Sequence, residues 1–169
     1  MTLQVIFSHG QESGPWGTKI KIMSKHATKL GCKVISVDYQ GITNADDRVL
    51  KLIKICAEIT DPICLVGSSM GGFVASAAAN KIGAIGLFVL APAYYMEGFD
   101  YSLFEAPNIP TQIIHGWRDN IVPVENSIKY AHENLATLHI IDGDHSLTEN
   151  IQEINQYLEN FLNSIYLKT

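Results

Sequence analysis

At 169 residues the chain is one domain's worth, read as a single unit over 1–169, and long enough to bury one sizeable core; 47% hydrophobic against 17% charged residues is the composition of an ordinary globular protein with a rather dry interior. Twelve Lys and Arg against seventeen Asp and Glu leave a net charge of −5, and no basic run occurs, so the phosphate attraction that nucleic-acid binders depend on is missing. The first apolar run, Leu3 to Phe7, predicts a strand that ends at Ser8-His9-Gly10, followed by a loop holding Gly14, Pro15 and Gly17. From Thr18 to about Leu30 the residues Ile20, Ile22, Met23, Ala27 and Leu30 recur at helical spacing, with Gly31 as the stop. KVISV (33–37) reads as a second strand, and 46–59 as a second helix with Val49, Leu50, Ile53, Ala57 and Ile59 mostly on one face.

Pro62 closes that helix, and ICLV (63–66) is a third strand. A helix of small residues, GGFVASAAANKI (71–82), follows, of the kind that packs close against a sheet. IGLFVL (85–90), 111–114 and 138–141 predict three more strands, and 124–135 and 147–165 two more helices. The long irregular stretch, 91–110, is rich in Tyr, Phe and Pro. Nearly continuous apolar strands suit a parallel sheet covered on both faces, and the regular strand–helix alternation predicts a doubly wound α/β domain. In such sheets the ligand lies outside the carboxyl ends of the strands, which singles out the loops beginning at Ser8, Gly67, Ala91, Gly116 and Asp142.

Gly67-Ser68-Ser69-Met70-Gly71 is a G-x-S-x-G between a predicted strand and a predicted helix. A nucleophilic serine needs a tight strand-to-helix turn that exposes its hydroxyl, and the flanking glycines remove side chains that would collide there. Ser69 is the candidate nucleophile; Ser68 stands one place early in the pattern and reads as a turn residue. A serine hydroxyl is nearly inert without a base, and His145, between the sixth strand and the last helix, projects at the same sheet edge. The orienting carboxylate is expected at Asp119, after the fifth strand, which gives the chain order Ser, Asp, His; Asp142 and Asp144 compete but share the histidine's own loop. The oxyanion donors are expected from the backbone N–H of Met70 and of Gln11, with His9 bracing the first loop rather than acting as a second base. Tyr94, Tyr95 and Met96, within a segment that also holds Phe99, Tyr101 and Phe104, either line the substrate or pack onto the sheet.

Together S-H-G-Q, G-S-S-M-G-G, L-A-P-A, H-G-W-R-D-N-I-V-P and G-D-H-S resemble the α/β-hydrolase superfamily over essentially the whole chain, nearest to the small, lid-poor bacterial hydrolases of the dienelactone-hydrolase and acyl-esterase groups. The resemblance implies a three-layer α/β/α fold of about six parallel strands without the N-terminal strands of larger members or a large cap. It also implies Ser69, Asp119 and His145 as nucleophile, acid and base. Dienelactone hydrolases commonly carry Cys where this chain has Ser69.

None of the six histidines has zinc-site spacing, and no phosphate-binding glycine motif is present, so neither a metal nor another cofactor is expected. Cys32, Cys56 and Cys64 form no C-x-x-C pair and read as buried reduced thiols; with no basic segment before the short first apolar run, the expected compartment is the cytoplasm, away from membranes. Nothing in the sequence sets an oligomeric state. The expected partner is a small acyl ester or thioester, cleaved through an acyl-serine. Amide or peptide hydrolysis on the same triad, or a non-catalytic binding role on the same fold, are the alternatives.

Overall fold

The computed structural model describes residues 1–99 and 104–166. Six strands, β1 (Gln4–Ser8), β2 (Lys33–Val37), β3 (Ile63–Ser68), β4 (Gly86–Leu90), β5 (Thr111–Gly116) and β6 (Thr137–Ile141), form one sheet in the order β2-β1-β3-β4-β5-β6. Every pairing is parallel, and β1 and β4 are buried throughout, as the continuous apolar runs require. Helices α2 (Ala45–Cys56), α3 (Met70–Ile82) and α4 (Val124–Asn134) cover one face and α1 (Thr18–Lys29) and α5 (Ile151–Tyr166) the other, with a separate hydrophobic core on each side. The result is the expected three-layer α/β/α fold of six parallel strands.

The strand order reverses between β1 and β3, so the loops leaving these neighbours run to opposite faces and open a crevice at their carboxyl ends. Ser8 ends β1 and Ser68 ends β3, which brings the first loop beside the serine motif.

Two helix boundaries and one helix face depart most from the sequence reading. Helix α2 stops at Cys56, not at Ile59; Asn44 caps its start by accepting from the Asp47 N–H. Helix α5 begins at Ile151 and not at Leu147, because Leu147 is left-handed (φ 53°) and its N–H is taken by the Asp144 carboxylate. The buried face of α2 is Ala45, Arg48, Val49, Leu52 and Cys56, while Leu50 is 64% exposed. Among the cysteines, Cys56 and Cys64 are buried and Cys32 partly so; burial pushes the Cys56 thiol up to about 11. No helix among the described residues is long and apolar enough to cross a membrane.

Candidate active site

Ser69 occupies the step between β3 and α3 with φ 55° and ψ −122°, a conformation that L-residues rarely adopt outside functional turns. The backbone around it is over-determined. The Ser69 N–H donates to the Leu90 carbonyl at 2.9 Å, and its own carbonyl accepts from the N–H groups of Gly72, Phe73 and Ala93. A Cβ on Gly67 would overlap the Gly71 carbonyl, and one on Gly71 would overlap the Ser8 carbonyl. Glycine is therefore required at both positions for β3, the turn and α3 to approach each other.

Two further loops meet this turn. The Arg118 N–H donates to the Gly143 carbonyl at 2.9 Å and the Trp117 N–H to Ile141, which locks the loop after β5 to the loop after β6. The consequence is one hydrogen-bonded chain: His145 Nε2 lies 3.1 Å from Ser69 Oγ, and His145 Nδ1 lies 2.7 Å from Asp119 Oδ2. Asp142 and Asp144 are not in it. Asp142 pairs with Arg118 at 2.6 Å, and Asp144 accepts from the Ser146 hydroxyl and the Leu147 N–H.

The Asp119 side chain is fully buried and receives four donors. Its Oδ1 accepts from the N–H groups of Ile121 and Val122, each at 2.9 Å, and Oδ2 accepts from His145 and from His115 Nε2 at 3.0 Å. Burial alone would push this carboxyl up, but the bonds from His115, His145, Val122 and Ile121 together outweigh it and hold the group well below the usual carboxylate range. His115 faces two acceptors at Nε2, Asp119 and the Val122 carbonyl, so its proton resides there and Nδ1 accepts from the Ser127 hydroxyl at 2.7 Å. The sequence reading quoted His115 within a motif and gave it no role.

The N–H of Met70 stands at the first position of α3, where no intrahelical acceptor exists. Gln11 follows Gly10, and a Cβ on Gly10 would stand 3.5 Å from the Ser69 Cβ, so the first loop abuts the serine. His9 is buried, accepts from the Tyr39 N–H at 2.9 Å and donates to the Gly10 carbonyl at 2.7 Å, which is the bracing contact expected of it.

Of the two roles open to Tyr94, packing is the one its surroundings support. It is 1% exposed, its ring stacks on Tyr130 at 3.8 Å between centroids, and its hydroxyl pairs with Ser76 Oγ at 2.7 Å. Tyr95 and Met96 engage α4: the Tyr95 hydroxyl donates to Glu133, Lys129 lies over its ring, and Asn126 donates to the Met96 sulfur. Phe99 and Phe104 stack on Phe73, and Tyr101 lies outside the described residues.

Lys19 was not singled out by the sequence, and no local signal marks it. Its ammonium donates to Ser68 Oγ at 3.0 Å, directly beside the turn. Burial pushes it down to about 8, partly offset by Asp144 and Asp119. A lysine held below its unfolded value destabilises the fold where the folded state must still carry the charge. Lys19→Met is therefore expected to raise the thermal midpoint at neutral pH. The gain should shrink as pH rises from about 8 towards the ordinary lysine value near ~10.4, where the unfolded chain is also neutral. A gain independent of pH, measured by thermal unfolding across that range, would refute the buried charge. Among the described residues no group of three or more His, Cys, Asp or Glu side chains could hold a metal ion.

The sequence profile of an alpha/beta hydrolase domain matches residues 2–165. No curated protein matches the sequence. Among solved structures, a protein assigned to the alpha/beta hydrolase superfamily from Xanthomonas campestris pv. campestris superposes with a TM-score of 0.86 at 26% identity, over 95% of this chain and 98% of that one. Est1E of Butyrivibrio proteoclasticus gives a TM-score of 0.83 at 17% identity, over 98% and 88%. A serine hydrolase without a lid from Xanthomonas campestris gives 0.81 at 18%, over 96% and 81%. At these identities the last two likenesses establish the fold alone.

Proposed function

This chain belongs to the α/β-hydrolase family, and on that premise we propose that it is a serine hydrolase that cleaves small carboxylic esters or thioesters through an acyl-Ser69 intermediate. The observation that supports this most directly is the unbroken chain Ser69–His145–Asp119, with 3.1 and 2.7 Å links. His145 Nε2 takes the Ser69 proton as Oγ attacks the carbonyl carbon. The resulting oxyanion is met by the N–H groups of Met70 and Gln11. His145 then gives the proton to the leaving oxygen or sulfur, and in the second half it activates the water that releases the acid. Asp119 keeps the proton of the resting imidazole on Nδ1, which leaves Nε2 free as the base. A binding protein has no physical need for a base, an orienting acid and a strained serine together. Free cysteines agree with a cytoplasmic setting.

A fluorophosphonate probe tests the reading. The protein should be labelled at Ser69 alone, and a protein that stays unlabelled under conditions that label a control esterase would be a binder on a hydrolase fold.

The acyl group should be short. Between β4 and β5 the described residues form no helix, and Tyr94, Phe99 and Phe104 are spent on packing. Little apolar surface remains for a substrate tail, and each buried methylene contributes only about 0.8 kcal/mol. In a graded series of acyl esters, kcat/KM is expected to peak between acetyl and butyryl and then fall. A steady rise out to palmitoyl would contradict it. Tyr94→Ala should lower stability without raising KM, because that ring is core.

A further inference from the structure

Arg48 has no part in the site described so far, yet its side chain is 2% exposed and lies on the buried face of α2. A buried guanidinium is costly unless its donors are satisfied, and the usual partner is a carboxylate. No ion pair involves Arg48 among the described residues. Its donors go instead to backbone: Nε to the Ile42 carbonyl at 2.7 Å, and Nη1 to the carbonyls of His9 and of Gly10, each at 3.2 Å. The guanidinium carbon rests 5.2 Å from the centroid of the Tyr39 ring.

His9 grips the same loop from another side. Because its Nε2 accepts from the Tyr39 N–H, its proton is on Nδ1 and is donated to the Gly10 carbonyl. Burial lowers the His9 pKa, against a smaller opposing effect of its bond to Gly10, and so favours the neutral ring that this pattern requires. The Gly10 carbonyl is thus fixed by both Arg48 and His9. A trans peptide group points its N–H away from its C=O. Holding the carbonyls of His9 and Gly10 on the Arg48 side turns the N–H groups of Gly10 and Gln11 to the opposite side, and neither N–H is spent on a hydrogen bond among the described residues. Gly10 itself stands against Ser69.

We propose that Arg48 is a positioning residue of this site: by gripping the His9 and Gly10 carbonyls it fixes the peptide plane that presents the Gln11 N–H to the oxyanion formed at Ser69. The inference rests on the serine-hydrolase reading above and adds to it the residue that preorganises the oxyanion hole. A guanidinium suits the task because one planar group reaches Ile42 through Nε and two successive carbonyls through Nη1, whereas a lysine ammonium is a single point on a flexible stem.

The test uses the full chain, its Arg48→Lys and Arg48→Met variants, p-nitrophenyl acetate as substrate, and a trifluoromethyl ketone that adds to a serine as a tetrahedral oxyanion. Fluorophosphonate labelling of the unmutated protein comes first. If that protein is inert, the hydrolase reading falls and this inference with it. If it is labelled, Arg48→Lys is expected to fold and to lose kcat by about 10- to 100-fold with KM changed by less than about twofold, since a misaimed donor costs less than a deleted one. Ketone affinity should weaken by the same factor as kcat/KM, because both depend on the oxyanion. Arg48→Met should lose more. A folded variant with unaltered kcat, a fall in kcat with ketone affinity unchanged, or failure of both variants to fold would each assign Arg48 to stability alone and overturn the inference.

Discussion

Ser69→Ala is expected to lower ester turnover by about 10⁴-fold or more while the protein remains folded. Both halves of that expectation come from the geometry. Among the described residues the Ser69 hydroxyl has one partner, His145 Nε2 at 3.1 Å, so its removal breaks no bond there that the fold depends on. The left-handed turn is held by backbone bonds to Leu90, Gly72, Phe73 and Ala93, all of which an alanine keeps. Ser68→Ala is the control. That hydroxyl faces Lys19 and not His145, so the variant should stay within about tenfold of the unmutated rate. Steady-state turnover with thermal unfolding on the same preparations decides the matter. An Ser69→Ala protein retaining more than about a tenth of the rate would leave the nucleophile misassigned.

The sheet was legible because each strand announces itself as a short apolar run of β-branched residues between loops, and all six occur where the pattern puts them. The meeting of Ser69, Asp119 and His145 at one sheet edge was legible for a related reason. Each stands in a loop at the carboxyl end of a strand, and the topology of a doubly wound sheet brings those ends together. Tyr94 was not legible. Its companions in an irregular segment give no period by which to tell inward from outward, and the partners that place it in the core, Ser76 and Tyr130, lie far along the chain.

Arg48 is the instructive case. The α2 face read from the sequence, through Val49, Leu50, Ile53 and Ala57, simply follows the apolar residues. The buried face is rotated from it, through Ala45, Arg48, Val49, Leu52 and Cys56, and it leaves Leu50 exposed. Counting only hydrophobic residues hides a charged residue in a core position. A helix pattern with Arg inside its apolar stripe carries the signal that the hydrophobic count discards: such a residue is buried for its donors, and those donors must have acceptors. Lys19 and His115 offer no comparable mark, since their meaning depends on what lies across from them in space.

Asp119→Asn is expected to lower turnover by about 10⁴-fold, and the reason is a count of donors. The carboxylate accepts two backbone N–H bonds at Oδ1 and two imidazole N–H bonds at Oδ2. An asparagine offers one acceptor and one donor. The N–H groups of Ile121 and Val122 cannot change character, so the amide oxygen turns to them and the NH₂ faces the two histidines. His145 then accepts at Nδ1 and carries its proton on Nε2, which leaves nothing to take the Ser69 proton. His115 loses the same partner but keeps Ser127 and the Val122 carbonyl. The substitution also removes a pH-dependent stabilisation. The folded carboxyl is held below its unfolded value of about 3.9, so the unmutated protein has the full benefit above that value and loses it as pH falls further, towards the folded one. Urea unfolding at a series of pH values should show the stability gap between the two proteins widest near neutrality and closing below about pH 4. A gap that stays constant into acid would mean that Asp119 is not held as a carboxylate. Full turnover in Asp119→Asn would move the orienting role to Asp142 or Asp144, each of which would first have to leave the partners it now holds.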